Sequence, residues 1–322
     1  MESQDILEDL SPDSMPKREV AERLLSEARE RLRSALTEVS KLAGVLLSVC
    51  VLVSAADSLD LSGKAPLYIR LSGVAAIGGC ALSDFDSYLN LGLSSLQSLS
   101  DYSRVLLPCI SSAAAASGAL TSAAAKYAAT ALFMDILLSL AKWLIVPSIC
   151  AYAALSLSEA ALGGESLKSA RKVLKAVCTL LLTGLSLTFT AWLGLTGILS
   201  GSADSLTARM TKTAVSAALP VVGGILADAA GSLTVAAAGV RNSVGIFGMI
   251  AVLTVCLGPF IRLGLRYILF KLAGALSECV TDKKLSELIE NVGSCFGLIL
   301  AINGTGALFM FISLFSFLRT AV

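Results

Sequence analysis

Ionisable and amide side chains inside otherwise apolar stretches are the residues of this chain best placed to do chemistry. Asp135 and Lys142 lie seven residues apart, two helical turns, so they share one face of the same segment. Asp228 and Asn303 lie in two other apolar segments. Because an ionisable group at bilayer depth is costly and commonly marks an ion or substrate pathway, one hypothesis is a polar path lined by Asp135, Asp228 and Asn303. The alternative is ordinary polar contact between helices, or a position at the membrane interface.

Two arginines one helical turn apart, Arg262 and Arg266, lie near the end of the apolar segment 244–270. Long basic side chains near the end of a membrane helix reach towards the interface. We therefore interpret this pair as contacts to lipid headgroups rather than as a substrate site.

Motifs for catalysis and metal binding are missing from the sequence. The chain has no histidine, so a conventional Ser-His-Asp triad is impossible and the commonest metal ligand is lacking. It contains neither a GxxxxGK[ST] phosphate loop nor a GxGxxG motif after a strand. Of its eight cysteines, seven lie in apolar segments, where a buried free thiol behaves as a small hydrophobe, and Cys279 lies in a polar connector. We expect no enzyme activity, no cofactor and no metal site.

Composition indicates a membrane protein. Hydrophobic residues make up 55% and charged residues 15% of the 322, and the mean hydropathy is +0.79. A soluble domain carries about 25% charged residues. Abundant Ala, Ser and Gly allow helices to approach closely in lipid. The net charge of +1 provides no field that would attract nucleic acid. We predict an all-α, tightly packed membrane bundle that contacts lipid and binds no nucleic acid.

A polar N-terminal arm ending in a basic amphipathic helix occupies residues 1–41 and precedes nine apolar or amphipathic segments. Their bounds are 42–56, 67–82, 84–101, 105–125, 127–157, 176–199, 213–240, 244–270 and 293–318. If all except the amphipathic 84–101 cross, the chain has eight spans, and if the segments of Pro108 and Pro220 re-enter, six cross. Eight spans place the arm and one basic connector in the cytoplasm. That connector carries Lys168, Arg171, Lys172 and Lys175.

Matching prolines indicate an internal two-fold repeat. Pro108 and Pro147 are 39 residues apart, and so are Pro220 and Pro259. In each copy a Ser-Glu pair, an amphipathic stretch and a clean apolar segment follow in the same order. The predicted organisation is an arm and amphipathic helix, a first membrane hairpin with an amphipathic segment, and two membrane repeats, with residues 201–204 as a loop between the copies. The bounds of the four regions are 1–41, 42–101, 102–200 and 201–318.

Helix breaks at Pro and Gly are the other candidate functional feature. Membrane folds built from two repeats often place a pathway at the repeat interface, on helices interrupted by Gly or Pro. Pro108, Pro220, Gly223 and Gly224 are the candidate breaks. The alternative is that they are kinks that serve only packing, since Pro and Gly are ordinary in membrane helices.

Residues 218–230 (ALPVVGGILADAA) resemble a signature region of the stage III sporulation protein AE family. The resemblance continues through 241–248 (RNSVGIFG), 256–259 (CLGP) and 271–276 (KLAGAL), and it covers roughly residues 40–318. It implies a polytopic protein of endospore-forming bacteria, made in the mother cell and needed for forespore development. Family members usually begin with a signal sequence, whereas the acidic, polar residues that open this chain are not typical of one.

The resemblance also implies a multi-protein channel or secretion-like complex across the two membranes that separate mother cell and forespore. The leading hypothesis is therefore a structural membrane subunit in the mother-cell membrane around the forespore. Its expected partners are other stage III sporulation subunits, further copies of itself in a homo-oligomer, and lipid. The alternative hypothesis is a self-contained secondary transporter with a substrate path at the repeat interface.

Overall fold

The computed structural model describes the backbone of residues 17–59, 65–83, 85–116, 120–218 and 223–319. Side chains are described for residues 22, 25–26, 28–59, 65, 67–83, 85–116, 123–195 and 245–317. This part of the chain is built from helices and turns, and it contains no strand. The predicted all-α membrane bundle is confirmed.

The described residues form eight α-helices. They are α1 (Lys17–Asp57), α2 (Ala65–Leu82), α3 (Phe85–Ala116), α4 (Leu120–Leu140), α5 (Val146–Leu162), α6 (Glu165–Ala218), α7 (Gly223–Ser277) and α8 (Lys283–Arg319). A single π turn, Ala141–Ile145, joins α4 to α5.

Five helical stretches of the described residues are long and apolar enough to cross a membrane, judged by length and composition. They are Ala28–Asp57, Ala123–Leu162, Glu165–Leu195, Gly245–Ser277 and Lys283–Phe317. The shortest has 30 residues. At about 1.5 Å per residue even that stretch exceeds the roughly 30 Å of a bilayer's hydrocarbon core. The 18 residues of α2 reach only about 27 Å, and α2 is not among the five. Six to eight spans were expected from the sequence.

Two boundaries expected from the sequence are wrong, because segments that look separate in the sequence form single helices. The amphipathic segment 84–101 and the start of 105–125 belong to α3, which continues through Pro108 to Ala116. Residues 201–204, expected to be a loop, are helical within α6. A glycine inside a helix costs only about 1 kcal/mol, and a membrane helix tolerates proline because neighbouring groups satisfy the freed backbone carbonyl. A single glycine or proline of this kind does not end a long helix.

The chain forms two compact units. Unit 1 comprises Met1–Ser95, Ser139–Leu182 and Cys256–Asn303, and unit 2 comprises Leu96–Leu138, Thr183–Val255 and Gly304–Val322. Each unit draws residues from both of the repeats expected from the sequence.

The core of unit 1 is built around Phe296 of α8. Its ring stacks on Phe270 at 5.3 Å between centroids and meets the edges of Phe85 and Tyr88 at 5.9 and 5.5 Å. On another side of this unit α1 packs on α2, and α2 packs on α5. Apolar helix faces that pack in this way position the polar groups described below.

The core of unit 2 contains a second aromatic cluster. Phe189 lies 4.3 Å from Phe309 and 5.3 Å from Phe133, measured between ring centroids. The buried Lys126 on α4 donates a hydrogen bond of 2.8 Å to the carbonyl of Ser316 in the last turn of α8. A cation at that position complements the negative end of the helix dipole.

The cysteines only partly follow the expectation of buried thiols. All eight are free. Cys279 is exposed, as expected from its polar connector. Cys109 and Cys150 were expected to be buried but are exposed, because an apolar membrane helix has an outward face as well as an inward one. Those buried are Cys50, Cys178, Cys256 and Cys295.

Candidate functional site

Two helical hairpins of unit 1 carry the polar side chains of the candidate site. The first joins α5 to α6 through Gly163 and Gly164, whose φ angles of +76° and +127° are rarely adopted by residues with a Cβ. The amide of Gly163 donates to the carbonyl of Glu159 at 2.8 Å, which closes the end of α5. The second hairpin joins α7 to α8 through residues 278–282. Both turns line one groove, together with Glu165 and Lys284.

Arg171 on α6 is the centre of a buried polar network. Its Nε donates to Oε2 of Glu159 at 2.7 Å, and its Nη2 lies 3.4 Å from Oε1 of the same carboxylate. Its Nη1 donates to the hydroxyl of Tyr152 at 3.2 Å and to Oδ1 of Asn291. The Tyr152 hydroxyl donates in turn to Oδ1 of Asn291 at 3.2 Å. One guanidinium therefore ties α5 and α6 to α8.

Two further polar contacts hold the same helices together. Nζ of Lys175 on α6 donates to Oγ of Ser294 on α8 at 3.2 Å. Nζ of Lys271 on α7 donates to Oε1 of Glu290 on α8 at 2.5 Å. The α8 helix is thus bonded to both α6 and α7. These contacts fix the register of the second hairpin against the first.

The chemistry available to the Arg171 network is limited. Arginine stays protonated in proteins, so its guanidinium cannot exchange a proton with the neighbouring groups. The side chains of Arg171 and Glu159 are only 10% and 13% exposed. Removing one partner of such a buried pair leaves a charge without compensation, at a cost of about 3–5 kcal/mol. The arrangement therefore acts as a fixed clamp between helices rather than as a proton relay.

Asp135, one of the acidic residues singled out in the sequence, lies on α4 in unit 2. It accepts a hydrogen bond of 2.9 Å from Nη2 of Arg104 on α3, and both side chains are more than half exposed. The hydrogen bond and the charge of Asp135 raise the pKa of the Arg104 guanidinium. Asp135 thus already has a partner on the neighbouring helix. Lys142 is exposed in the π turn.

Asn303, also singled out in the sequence, is buried. It is 2% exposed in unit 1, and its Nδ2 donates to the carbonyl of Ile299 one turn earlier at 3.1 Å. The side chain packs against α3 at Gly92, where a Cβ would come within 3.2 Å of Nδ2. Asn303 therefore fills a close helix–helix contact, and the path that it was expected to share with Asp135 stays a prediction.

The remaining candidates are the four residues around the expected helix breaks and Asp228. Pro108 lies inside α3, where its carbonyl accepts a hydrogen bond of 3.3 Å from the Ser111 hydroxyl. Pro220 lies outside the described residues. Gly223 and Gly224 are the first two residues of α7, and Asp228 lies in the second turn of the same helix.

The Arg171 network was missed because its members do not stand out in the sequence. Arg171 was assigned to a basic connector, yet the structure places it within α6 and 8% exposed. Its partner Asn291 is 120 residues away along the chain. The available signal was the repeated pattern of a Ser-Glu pair followed by an amphipathic stretch, which marks both hairpins.

Among the described side chains, no group of three or more His, Cys, Asp or Glu residues is placed to hold a metal ion.

Comparison with known proteins gives one family. The family model described as stage III sporulation protein AE matches residues 15–320. Stage III sporulation protein AE of Bacillus subtilis (strain 168) is 23% identical over 237 residues, which cover 73% of this chain and 59% of that protein. The match thus spans about three fifths of the relative's length. No solved structure matches the chain. Because the family model covers far more than half of the sequence, including all five apolar helical stretches, the chain belongs to the stage III sporulation protein AE family.

Proposed function

We propose that this protein is a membrane-embedded subunit of a channel or secretion-like complex that links mother cell and forespore. It lies in the mother-cell membrane around the forespore and is required for spore development. The observation that carries the proposal is the family match over residues 15–320, which takes in all five of the described stretches that could cross a membrane.

The use of buried charge supports a structural role. Arg171 is paired with Glu159, Lys126 bonds a helix carbonyl, and Arg266 bonds a tyrosine hydroxyl. Each of these cations joins two helices within its own unit. Such contacts make a rigid scaffold, whereas alternating access requires helices that rearrange around a substrate.

The outer surface supports assembly with lipid and protein partners. Large apolar side chains are exposed on several helices, and Trp143 on the π turn is 85% exposed. Others are Leu52, Val105, Leu180 and Trp192. In a bilayer, such side chains contact acyl chains or another protein. We therefore assign to this surface the contacts with lipid, with further copies of the chain and with other stage III sporulation subunits. The oligomer, rather than a single catalytic residue, forms the passage.

The composition of unit 1 supports the proposed two-fold repeat. Ser139–Leu182 comes from the first copy and Cys256–Asn303 from the second, and each segment contributes one of the two hairpins. In both hairpins an ion pair joins the two helices, Arg171 with Glu159 and Lys271 with Glu290. A duplicated hairpin explains why the parts of α5–α6 and α7–α8 that lie next to the two turns belong to one unit.

Native mass spectrometry and electron cryomicroscopy test the proposal. The full chain would be co-expressed with the other stage III sporulation proteins of the same organism and extracted in mild detergent. We expect an assembly of several copies around a shared opening, or stable co-purification with those proteins.

A monomer or dimer with an enclosed polar cavity, able to transport a solute in proteoliposomes, would instead establish the transporter. Asp135→Asn and Asp228→Asn would then be the first substitutions, because those carboxylates are the candidates for its path.

A further inference from the structure

A basic groove in unit 1 is distinct from the Arg171 network. It has a volume of about 760 Å³ and lies between α1, α3 and α7. Its charged lining consists of Lys41, Arg262, Arg266 and Glu38. Three cations therefore face one carboxylate, so the groove carries a net positive charge.

The guanidinium of Arg266 is held in place at the wall of this groove. The residue is 6% exposed, and its Nε donates to the hydroxyl of Tyr88 at 2.9 Å. The guanidinium also lies over the Tyr88 ring, 4.6 Å from the centroid, and that ring packs edge-on against Phe296. Because Phe296 packs against the Tyr88 ring, the tyrosine holds the Arg266 side chain in one orientation in the absence of a ligand.

The other two cations are available to a ligand. Arg262 lies one turn before Arg266 on the same face of α7, and both Arg262 and Lys41 are exposed. Among the side chains that the structure describes, neither forms an ion pair within 4.0 Å. The groove is also lined by three polar residues of α3, Ser87, Asn90 and Ser94. Asn90 donates to the carboxylate of Asp86 at 3.0 Å, and Ser94 donates to the carbonyl of Leu91 at 3.1 Å.

The groove is amphipathic, which restricts the kind of anion that fits it. Beside the cations lie three aliphatic side chains, Leu42, Val45 and Leu91. Lys41 is also the last charged residue of α1 before its apolar part, 42–56. A membrane helix changes from charged to apolar at the level of the lipid headgroups.

We infer that this groove is a binding site for a phosphate-bearing anion of the class of anionic phospholipid headgroups. Arg266, oriented by Tyr88, and the exposed Arg262 and Lys41 contact the phosphate, and the aliphatic side chains contact the first methylenes of the acyl chains. Paired guanidinium and ammonium groups are the usual protein partners of phosphate. The inference does not depend on the channel function.

The test measures lipid retention by the full chain. The wild-type protein and the double variant Lys41→Gln/Arg262→Gln are reconstituted in nanodiscs of phosphatidylcholine with a minor fraction of phosphatidylglycerol or cardiolipin. Native mass spectrometry then counts the anionic lipids that remain bound after transfer to detergent. Lys283→Gln/Lys284→Gln, which removes two exposed cations at the α7–α8 turn outside the groove, is the matched control.

We expect the affinity for anionic lipid to fall about fivefold for each cation removed from the groove, and the control to behave as wild type. Tyr88→Phe keeps the ring and removes only the hydroxyl that orients Arg266, so it should weaken retention without changing the fold. Equal retention by wild type and by the Lys41/Arg262 variant would overturn the site.

A second experiment repeats the lipid-retention measurement with inorganic phosphate in excess. If lipid stays bound, the ligand is a membrane headgroup, as inferred. If phosphate alone protects the groove from unfolding and no lipid is retained, the site serves a soluble phosphate compound, and the assignment to a lipid is overturned.

Discussion

Glu159→Gln is the substitution that most directly tests the clamp between the two hairpins. Glutamine keeps the length and one oxygen of the glutamate, so it removes the charge with little change in volume. Arg171 then keeps its bonds to Tyr152 and Asn291 but loses the carboxylate that lies 2.7 Å from its Nε.

The size of the effect follows from burial. Both side chains of the pair are at most 13% exposed, so solvent screens them little. Breaking a buried pair costs about 3–5 kcal/mol, and the two remaining polar partners of Arg171 place the value near the lower end. For a cooperative unit of this size, about 3 kcal/mol corresponds to a fall in melting temperature of roughly 6–12 °C.

The assay is thermal unfolding of the purified chain in mild detergent, followed by a thiol-reactive dye or by circular dichroism. Glu165→Gln is the matched control, since Glu165 lies at the start of the same hairpin helix and is exposed. We expect this control to stay within about 0.5 kcal/mol of wild type.

A double-mutant cycle completes the experiment. Replacing both partners, Glu159→Gln with Arg171→Met, removes the buried charge along with its partner, so it should recover part of the stability lost in Glu159→Gln alone. The clamp would be refuted if Glu159→Gln melted like Glu165→Gln, or if the second substitution gave no recovery.

Three further experiments, two by substitution and one by thiol labelling, test other parts of the structure. Gly293→Ala should destabilise the α7–α8 hairpin by about 1–3 kcal/mol, because the added Cβ would lie 2.9 Å from the Cβ of Phe270 on α7. The control is Gly184→Ala, whose added Cβ meets nothing within 4 Å. This variant should melt at or above the wild-type temperature. Asp135→Asn should leave assembly unchanged, because the asparagine oxygen can still accept the hydrogen bond from Arg104. Loss of sporulation with intact assembly in that variant would favour the transporter. In detergent solution, a maleimide should modify the exposed Cys279 quickly and the buried Cys295 only after unfolding. Equal rates in mass spectrometry would contradict the packing of α8.

The class of fold was predictable from the sequence, because a scarcity of charge and an excess of small apolar residues leave few alternatives to a helical membrane bundle. The ends of the helices were not predictable from the sequence. Pro108 and Gly201 look like interruptions, yet the helices continue through both. Whether a helix ends depends on the energy of packing along its whole length, which a single residue type does not reveal.

The contacts of the candidate site residues were harder to predict, for a related reason. A charged residue near the end of an apolar segment can face lipid headgroups or a neighbouring helix, and sequence alone does not distinguish the two. Arg262 is exposed, as a headgroup contact would be, whereas Arg266 on the same face is buried against Tyr88. Asp135 is paired with Arg104, which lies 31 residues earlier and was not singled out. Such partners emerge only when the helices are packed together.

The two hairpin turns differ in how well they should accept foreign sequence. Gly163 and Gly164 form a two-residue connection with backbone angles that other residues rarely adopt, so an inserted peptide would pull α5 and α6 apart. The connection between α7 and α8 has five residues, and Cys279 and Val280 in it are exposed. An epitope tag or a small fluorescent domain placed after Cys279 should therefore leave the fold intact. It would report on which side of the membrane these turns lie.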